Sequence, residues 1–471
     1  MPRADSLRAF EGAGDLEVPD DFSNPLQHVD RPNRRAIVPG GGGAGGRRHN
    51  CPPVARTRGS AFEGVTRYQW LVLAVAWMGW VFDIMDSALF NFAKAPMLKE
   101  LLGQAGYEAR GAAVEGVIFT VFLIGWALGG ALFGYLADRW GRVKTMAVTI
   151  LIYTLFTGLT ALCATWEQVA VVRFITGLGI GGEWAAGAAL VAEVFPDRAR
   201  AAAASFLQSA AAIGPVFASL LNLAEPHFGW RFLFLAGIAP AAVVIVIRIW
   251  VRESEKWTAA TTQKPKVTEL WQKPPLRRNL IVSMLLGAVG IAAAANVSFW
   301  LPNFVASVSP GIPASDVQIR TSTATMVLHI GTLLGVFVVP WLCDKWGRRQ
   351  TLLACMIASP ISVLITSRAA HDFSTLLLFA PLMSFTTIGM SAAFVLYFPE
   401  LFPTRLRATG AGAAYNVARI LSAGIPLLTA AVIGSGTDKV GQGIATTALV
   451  LGMGVFVLWF APETKGKPLP D

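Results

Sequence analysis

Residues 116–142 are GVIFTVFLIGWALGGALFGYLADRWGR, a run of 22 residues without charge followed by a short charged motif. A helix of about 20 apolar residues spans the hydrocarbon core of a bilayer, which is about 30 Å thick. The run does not alternate apolar and polar residues, as the strands of a membrane barrel do over about ten positions. It therefore predicts a membrane-spanning helix that ends near Asp138.

Similar charge-free runs recur along the chain. They lie at 145–166, 201–224, 373–399 and 440–462. Of the 471 residues 54% are hydrophobic and only 14% are charged, whereas an ordinary soluble domain has about 25% charged residues. Lipid permits only helices or closed barrels as spanning forms. We therefore predict an all-α membrane protein with twelve transmembrane helices, at 68–93, 115–137, 145–165, 169–193, 203–223, 230–250, 279–305, 322–343, 350–368, 374–397, 407–433 and 441–461.

The chain repeats itself. EVFPDRAR at 193–200 matches ELFPTRLR at 400–407, 207 residues later, and DRWGR at 138–142 matches DKWGR at 344–348, 206 residues later. Two motifs with nearly one offset indicate a duplicated six-helix unit, and such repeats are an established transporter design. The predicted parts are a disordered, glycine-rich tail (1–66), a six-helix bundle (67–250), a cytoplasmic linker (251–278) and a second bundle (279–471).

Lysine and arginine residues mark the orientation. They concentrate in the tail, in the linker and in alternate loops, while the other loops hold a few, such as Lys94, Arg231 and Arg320. Basic loops stay on the cytoplasmic side, so we predict that both termini are cytoplasmic. The net charge of +10 is then an orientation signal and a contact with anionic lipid, and it does not indicate a nucleic-acid partner.

Two motifs resemble those of a known family. GYLADRWGR at 134–142 resembles the loop 2–3 signature of the major facilitator superfamily, and RFITGLGIGGEW at 173–184 resembles the fourth-helix signature of its proton-coupled members. The resemblance covers about 65–467. It implies a transporter with alternating access in the plasma membrane, with no cofactor or metal and no enzymatic activity, which we expect to be monomeric.

The loop 2–3 motif predicts a gate on the cytoplasmic side. A carboxylate near a helix N-terminus and a neighbouring guanidinium form a charge–dipole latch, and the alternative is a solvated loop whose charges only set orientation. The second copy begins with Pro340 where the family has glycine. The predicted gate residues are Gly134, Asp138, Arg139, Gly141, Arg142, Glu193, Arg200, Asp344, Gly347, Arg348, Glu400 and Arg407.

Ionisable residues inside predicted membrane helices are functional candidates, because a charge there is costly. Asp83 and Asp86 are three residues apart on the first helix, and so share a face. Arg173 lies at a similar predicted depth on the fourth helix, and we predict that it pairs with Asp83. We assign proton coupling to Asp83, Asp86, Arg173 and Glu183; the alternative is a permanent structural ion pair.

Arg419 is the candidate for substrate binding. No acid precedes it in its helix, and a guanidinium matches the fork geometry of a carboxylate; the alternative is that it pairs with Asp83, Asp86 or Glu183. Further candidates for lining the site are Asn416, Asn296, Trp300, Asn303, Gln208 and, more weakly, His329.

We therefore predict proton-coupled symport of a small organic carboxylate, as in the sialate, lactate and aromatic-acid groups. Sugar porters have a Gln-Gln pair in the seventh helix, and 279–305 has no glutamine. The Gly-Pro-x-x-Gly-Gly motif of drug antiporters is broken after Gly214-Pro215. A sugar or other metabolite porter, a drug efflux antiporter and a non-transporting sensor of the same fold stay as alternatives.

Overall fold

The computed structural model describes residues 64–242, 247, 250–253, 268–403, 406–434 and 439–467. Nearly all of the predicted tail and the middle of the predicted linker, 254–267, lie outside the described residues. So do the side chains of Asp138, Arg200 and Arg407 in the predicted gate.

All regular structure in this part of the chain is helical, which confirms the predicted class. The helices are α1 (Arg67–Trp140), α2 (Arg142–Thr160), α3 (Trp166–Val194), α4 (Asp197–Gln208), α5 (Ala210–Asn222), α6 (Glu225–Phe228), α7 (Trp230–Ala236), α8 (Glu269–Gln272), α9 (Pro274–Ser307), α10 (Ala314–Trp346), α11 (Arg348–Ala369), α12 (Phe373–Thr387), α13 (Ser391–Glu400), α14 (Arg407–Ser422), α15 (Ile425–Ile433) and α16 (Val440–Leu458).

The first two predicted membrane helices are joined in α1. The helix begins at a capping box, in which Thr66 and Gln69 satisfy each other's backbone N–H groups. It bends at Gly103, where φ is 71°, a conformation that glycine adopts without steric cost. Helical structure continues well past residue 93, the predicted end of the first span, so Lys94 lies within the helix rather than in a loop.

Hydrogen bonds show which helix ends lie together. Gln69 Nε2 donates to the carbonyl of Val194 at 2.9 Å, and the Tyr68 hydroxyl donates to the carbonyl of Arg252 at 3.0 Å. We call this the terminal end of the bundle, and the opposite end, where α1 bends, the distal end. Residues 64–253 are called the first half, and 268–467 the second half. The domain boundaries predicted from the sequence stay predictions.

Glycines allow α1 and α3 to pack closely. A Cβ atom at Gly129 would lie 2.0 Å from the carbonyl oxygen of Leu178, and one at Gly181 would lie 2.0 Å from that of Trp126. Such small residues let membrane helices approach closely. This packing fixes the face that α3 presents to the second part of α1, after the bend at Gly103.

The apolar core shows how the halves meet. Buried apolar side chains form two clusters among the described residues. The larger combines the first half with distal residues of the second half, such as Phe299, Leu328 and Ile433. The smaller contains residues of the second half alone, such as Leu280, Leu352 and Leu458 near the terminal end. The halves are therefore packed together distally, and their cores are separate at the terminal end.

Eight stretches of the described chain are long and apolar enough to cross a membrane, and the first, Arg67–Ala137, contains two of the predicted helices. The number twelve stays a prediction, because the sixth predicted helix includes residues 243–246 and 248–249, which are outside the described part.

Candidate functional site

A cavity of about 200 Å³ lies between the halves. Most of its wall is aromatic or aliphatic, with a few polar groups, which is typical of small-molecule sites. Small residues of α9 make room for it, among them Gly290, Ala294 and Ser298. Its polar wall includes Asn91 and Gln208 from the first half and His329 and Arg419 from the second.

Arg419 is held at the cavity by groups from both halves. Its Nη1 donates to Asn416 Oδ1 at 3.2 Å. The guanidinium carbon lies 4.5 Å from the ring centre of Trp126, in the first half, and 5.0 Å from that of Tyr415. Cation–π contacts of this kind orient a guanidinium. The cation is 6% exposed, so it contributes a positive charge to a nearly water-free wall.

The prediction that Arg173 pairs with Asp83 is wrong. Arg173 Nη2 lies 2.9 Å from Asp86 Oδ2, and both residues are buried. Asp86 also accepts a 2.5 Å hydrogen bond from the Thr157 hydroxyl. Asp86 lies three residues further toward the distal end than Asp83, which matches the position of Arg173 near the start of α3. The result is a compensated ion pair inside the first half.

Asp83 interacts instead with Glu183. Both are buried, their carboxyl oxygens have no hydrogen-bond partner among the described residues, and the two carboxyl groups are near enough to interact electrostatically. Room for Glu183 comes from Gly79, because a Cβ there would lie 2.3 Å from Glu183 Oε1. Gly79 and Asp83 are one turn apart on the same face of α1. Ionising two neighbouring carboxyl groups together in a dry site is strongly unfavourable.

The acids and the cavity lie on different faces of α1. Trp80, Ile84 and Asn91 line the cavity, whereas Asp83 and Asp86 face α2 and α3. Asp83 and Arg419 nevertheless interact electrostatically across the boundary between the halves. A change of charge at either group is therefore felt by the other.

The polar stripe predicted on the seventh helix does not line the cavity. Asn296 accepts a hydrogen bond from Thr429 at 2.9 Å, Trp300 is fully buried, and Asn303 donates to Glu115 at 3.3 Å. The cavity face of α9 combines small residues such as Gly290 and Ala294 with the aliphatic Ile291 and Leu301. Asn416 accepts a hydrogen bond from Arg419, while Gln208 and His329 line the cavity.

The predicted gate residues form matching pairs at the terminal end. Arg142 bonds Glu193 at 3.1 Å, and Arg348 bonds Glu400 at 2.9 Å and Asp344 at 3.0 Å. Each of these pairs lies within one half. Arg139 is exposed beside the Tyr135 ring, and Gly134 lies in the last turns of α1. A gating role for these residues stays a prediction.

Two glutamates that were not among the predicted gate residues cap the helices of the gate. Glu253 accepts the backbone N–H of Arg142 at 2.5 Å, and Glu463 accepts that of Arg348 at 3.1 Å. Burial of Glu463 opposes ionisation, but backbone N–H groups of the next two residues and of Arg348 and Arg349 hold its pKa below the usual value. Gly141 and Gly347, with φ of 104° and 114°, begin the capped helices. The repeated DxWGR motif indicates this symmetry, although the first-half glutamate carries no motif of its own.

Sequence reasoning also missed a buried ion pair near the distal end. Lys94 Nζ lies 3.1 Å from Glu115 Oε2, with both side chains fully buried. The same ammonium donates to the carbonyl of Phe299 at 2.7 Å, and Asn303 donates to Glu115. Lys94 and Glu115 belong to α1, whereas Phe299 and Asn303 belong to α9. This cluster therefore ties the two halves together distally.

We expect Lys94→Met to open the distal end. Losing one partner of a buried ion pair leaves an uncompensated charge, which costs about 3–5 kcal/mol, and the state with separated distal ends exposes that charge to water. The measurement is labelling of a cysteine at Ser298, in the cavity wall, by an impermeant maleimide in a cysteine-free background. Labelling from the distal side should rise.

The control is Glu100→Gln, which breaks an exposed distal ion pair with Arg231 inside the first half. It should leave the labelling unchanged. Equal labelling of Lys94→Met and of the unaltered protein would contradict the role given to the buried pair.

Comparison with known proteins identifies the family. Residues 76–418 match the model described as Major Facilitator Superfamily. This chain belongs to that superfamily. The facilitator is therefore an integral membrane protein and a transporter, as the loop 2–3 and fourth-helix motifs predict, and it is not an enzyme.

Its relatives include transporters of several small molecules. It is 32% identical over 402 residues to a probable 4-methylmuconolactone transporter of Cupriavidus pinatubonensis, covering 82% of this chain and 89% of the relative. It is 29% identical over 382 residues to the sialic acid transporter NanX of Escherichia coli, covering 79% and 89%. It is 28% identical over 360 residues to the cis,cis-muconate transport protein of Acinetobacter baylyi, covering 74% and 84%.

The fold also matches solved structures. A partially occluded, inward-open structure of the xylose transporter XylE from E. coli superimposes with a TM-score of 0.68 at 19% identity, covering 86% of this chain and 100% of that chain. This confirms the predicted major facilitator fold.

Proposed function

We propose that the facilitator carries a small organic carboxylate together with a proton. The observation that carries the proposal is the presence of a cation, Arg419, in the cavity wall, within electrostatic reach of the buried Asp83–Glu183 pair. Arg419 supplies the planar fork that recognises a carboxylate. The pair supplies two buried carboxyl groups that hold a proton. Support also comes from relatives named for sialic acid and cis,cis-muconate, both of which are carboxylic acids.

The electrostatic interaction between Arg419 and the pair accounts for coupling. Ionised Asp83 is stabilised by the positive charge of Arg419. A substrate carboxylate on Arg419 neutralises that charge, so proton binding to the pair becomes more favourable. By linkage, the bound proton increases the affinity for the carboxylate by the same factor. The carboxylate in the cavity and the proton on the Asp83–Glu183 pair therefore bind together, as symport requires.

The orientation of the cycle follows from the terminal charges. We infer that the terminal end is cytoplasmic, because the basic loops predict it. The apolar cores of the two halves are joined at the distal end and separate at the terminal end. The present structure therefore corresponds to the cytoplasm-facing state. Inward movement of the proton and the carboxylate then begins when the distal contacts break and the gate pairs of the two halves approach each other.

The test is uptake by proteoliposomes under an imposed inward proton gradient. The probes are labelled niacin, sialic acid and cis,cis-muconate, with D-xylose and a labelled amine as neutral and cationic comparisons. We expect one or more acids to accumulate above equilibrium and their amides to fail. Accumulation of xylose or of the amine in place of every acid would overturn the carboxylate assignment, and uptake indifferent to the gradient would overturn proton coupling.

A further inference from the structure

A buried tyrosine lies beside the proposed proton site. Tyr153 is fully buried in α2, and its hydroxyl has no hydrogen-bond partner among the described residues. Thr157, one turn along the same helix, donates to Asp86 of α1. Gly179 of α3, one turn before Glu183, packs so closely that a Cβ there would lie 2.8 Å from the Tyr153 Cβ. The ring is therefore held among the helices that carry the acids.

The charged groups around this hydroxyl come from three helices. Asp83 and Asp86 of α1 and Glu183 of α3 interact with it electrostatically. Arg173 of α3 is engaged by Asp86, and Arg419 acts on Asp83 from the second half. The other charged residues of α2, Arg142 and Lys144, are at its terminal end. Carboxyl groups are thus potential acceptors for the Tyr153 hydroxyl.

A buried hydroxyl without a partner is rare and calls for an explanation. The carboxyl groups of Asp83 and Glu183 are neighbours in a dry site, which favours holding a proton on the pair. Removal of that proton leaves a carboxylate in a dry site that requires a donor. The hydroxyl of Tyr153, which has no partner among the described residues, can supply one.

We propose that Tyr153 is a positioning residue for proton coupling, whose hydroxyl donates a hydrogen bond to the Asp83–Glu183 pair once the pair has lost its proton. The inference rests on the proposed function. A hydrogen bond to an ionised group is about twice as strong as one between neutral groups. Tyr153 therefore stabilises the proton-free state and sets the pH at which the proton leaves.

The test is the pH profile of proton-coupled uptake by Tyr153→Phe, which keeps the ring. Loss of the donor makes the proton-free state less stable, so the proton stays bound to higher pH. The alkaline limb of the profile should move upward by about one pH unit or more. Substrate counterflow, which needs no net proton movement, should be retained.

The matched control is Tyr397→Phe, which removes another buried hydroxyl, one bonded to the carbonyl of Pro462. Its alkaline limb should stay in place. An unshifted limb in Tyr153→Phe, loss of its counterflow, or an equal shift in both variants would overturn the inference and leave the proposed function standing. Absence of any pH-dependent coupling in the unaltered protein would instead overturn the proposed function itself.

Discussion

Replacing Asp83 with asparagine is expected to abolish accumulation of substrate against its gradient. Asparagine has nearly the same shape, but it cannot take up a proton, so the Asp83–Glu183 pair loses its cargo. Counterflow of labelled against unlabelled substrate should persist, because it needs no proton release. The measurement is the ratio of internal to external substrate under an imposed proton gradient, which should fall to about one at equilibrium.

Two variants sharpen that result. Glu183→Gln removes the other member of the pair and should give the same uncoupled behaviour. Asp316→Asn alters an exposed aspartate in the first turn of α10 and should accumulate substrate as the unaltered protein does. Intact gradient-driven accumulation in Asp83→Asn would show that the proton is carried elsewhere, and Asp86 would be the next group to examine.

Replacing Arg419 with alanine is expected to weaken carboxylate binding by about 10-fold to 100-fold, since a hydrogen bond to a charged group contributes about 1.5–3 kcal/mol. Arg419→Lys keeps the charge but loses the planar fork, so an intermediate loss is expected. The measurement is the KM for the transported acid, compared with the inhibition constant of its amide. Alanine should remove the preference for the acid over the amide.

The matched control is Arg320→Ala. Arg320 is also a guanidinium over an aromatic ring, 5.0 Å from the ring centre of Phe373, but it does not line the cavity. It should leave the preference for the acid unchanged. Equal loss of acid and amide binding in Arg419→Ala would mean that the residue shapes the cavity without recognising the carboxylate.

The fold was accessible from the sequence because its signals are long and repeated. Charge-free runs such as 116–137 are long enough to span a bilayer, and the offset of the DxWGR motifs relates the two halves. The glycines of the fourth helix predict close approach, and Gly181 against Trp126 shows it. These features depend on composition over many residues, so small errors in helix boundaries do not matter.

The candidate site was predictable where a residue type is rare in lipid. Asp83, Asp86, Arg173, Glu183 and Arg419 are conspicuous because charge inside a membrane helix is costly. Which of the two aspartates pairs with Arg173 could not be predicted in this way. Asp83 and Asp86 differ by less than one turn, and only the rotation and depth of α1 against α3 decide which of them meets Arg173.

The remaining prediction errors concern which helix face lines the cavity and where a helix ends. The seventh helix presents small residues to the cavity, so the polar stripe of Asn296, Trp300 and Asn303 packs elsewhere. Lys94 looks like a loop charge because the hydrophobic run ends just before it, yet the helix continues and buries it against Glu115. A buried pair formed by residues 21 positions apart leaves no periodic signal in the sequence.

The central claim is that one carboxylate enters together with a proton held by the Asp83–Glu183 pair. Its most direct test is proton movement caused by the substrate alone. The labelled acid is added outside proteoliposomes that enclose a pH-sensitive dye, with no imposed pH gradient. Uptake of the labelled acid is followed in parallel. The account predicts acidification of the lumen that keeps pace with uptake and is absent in Asp83→Asn. Uptake without acidification, or acidification that persists in Asp83→Asn, would contradict it.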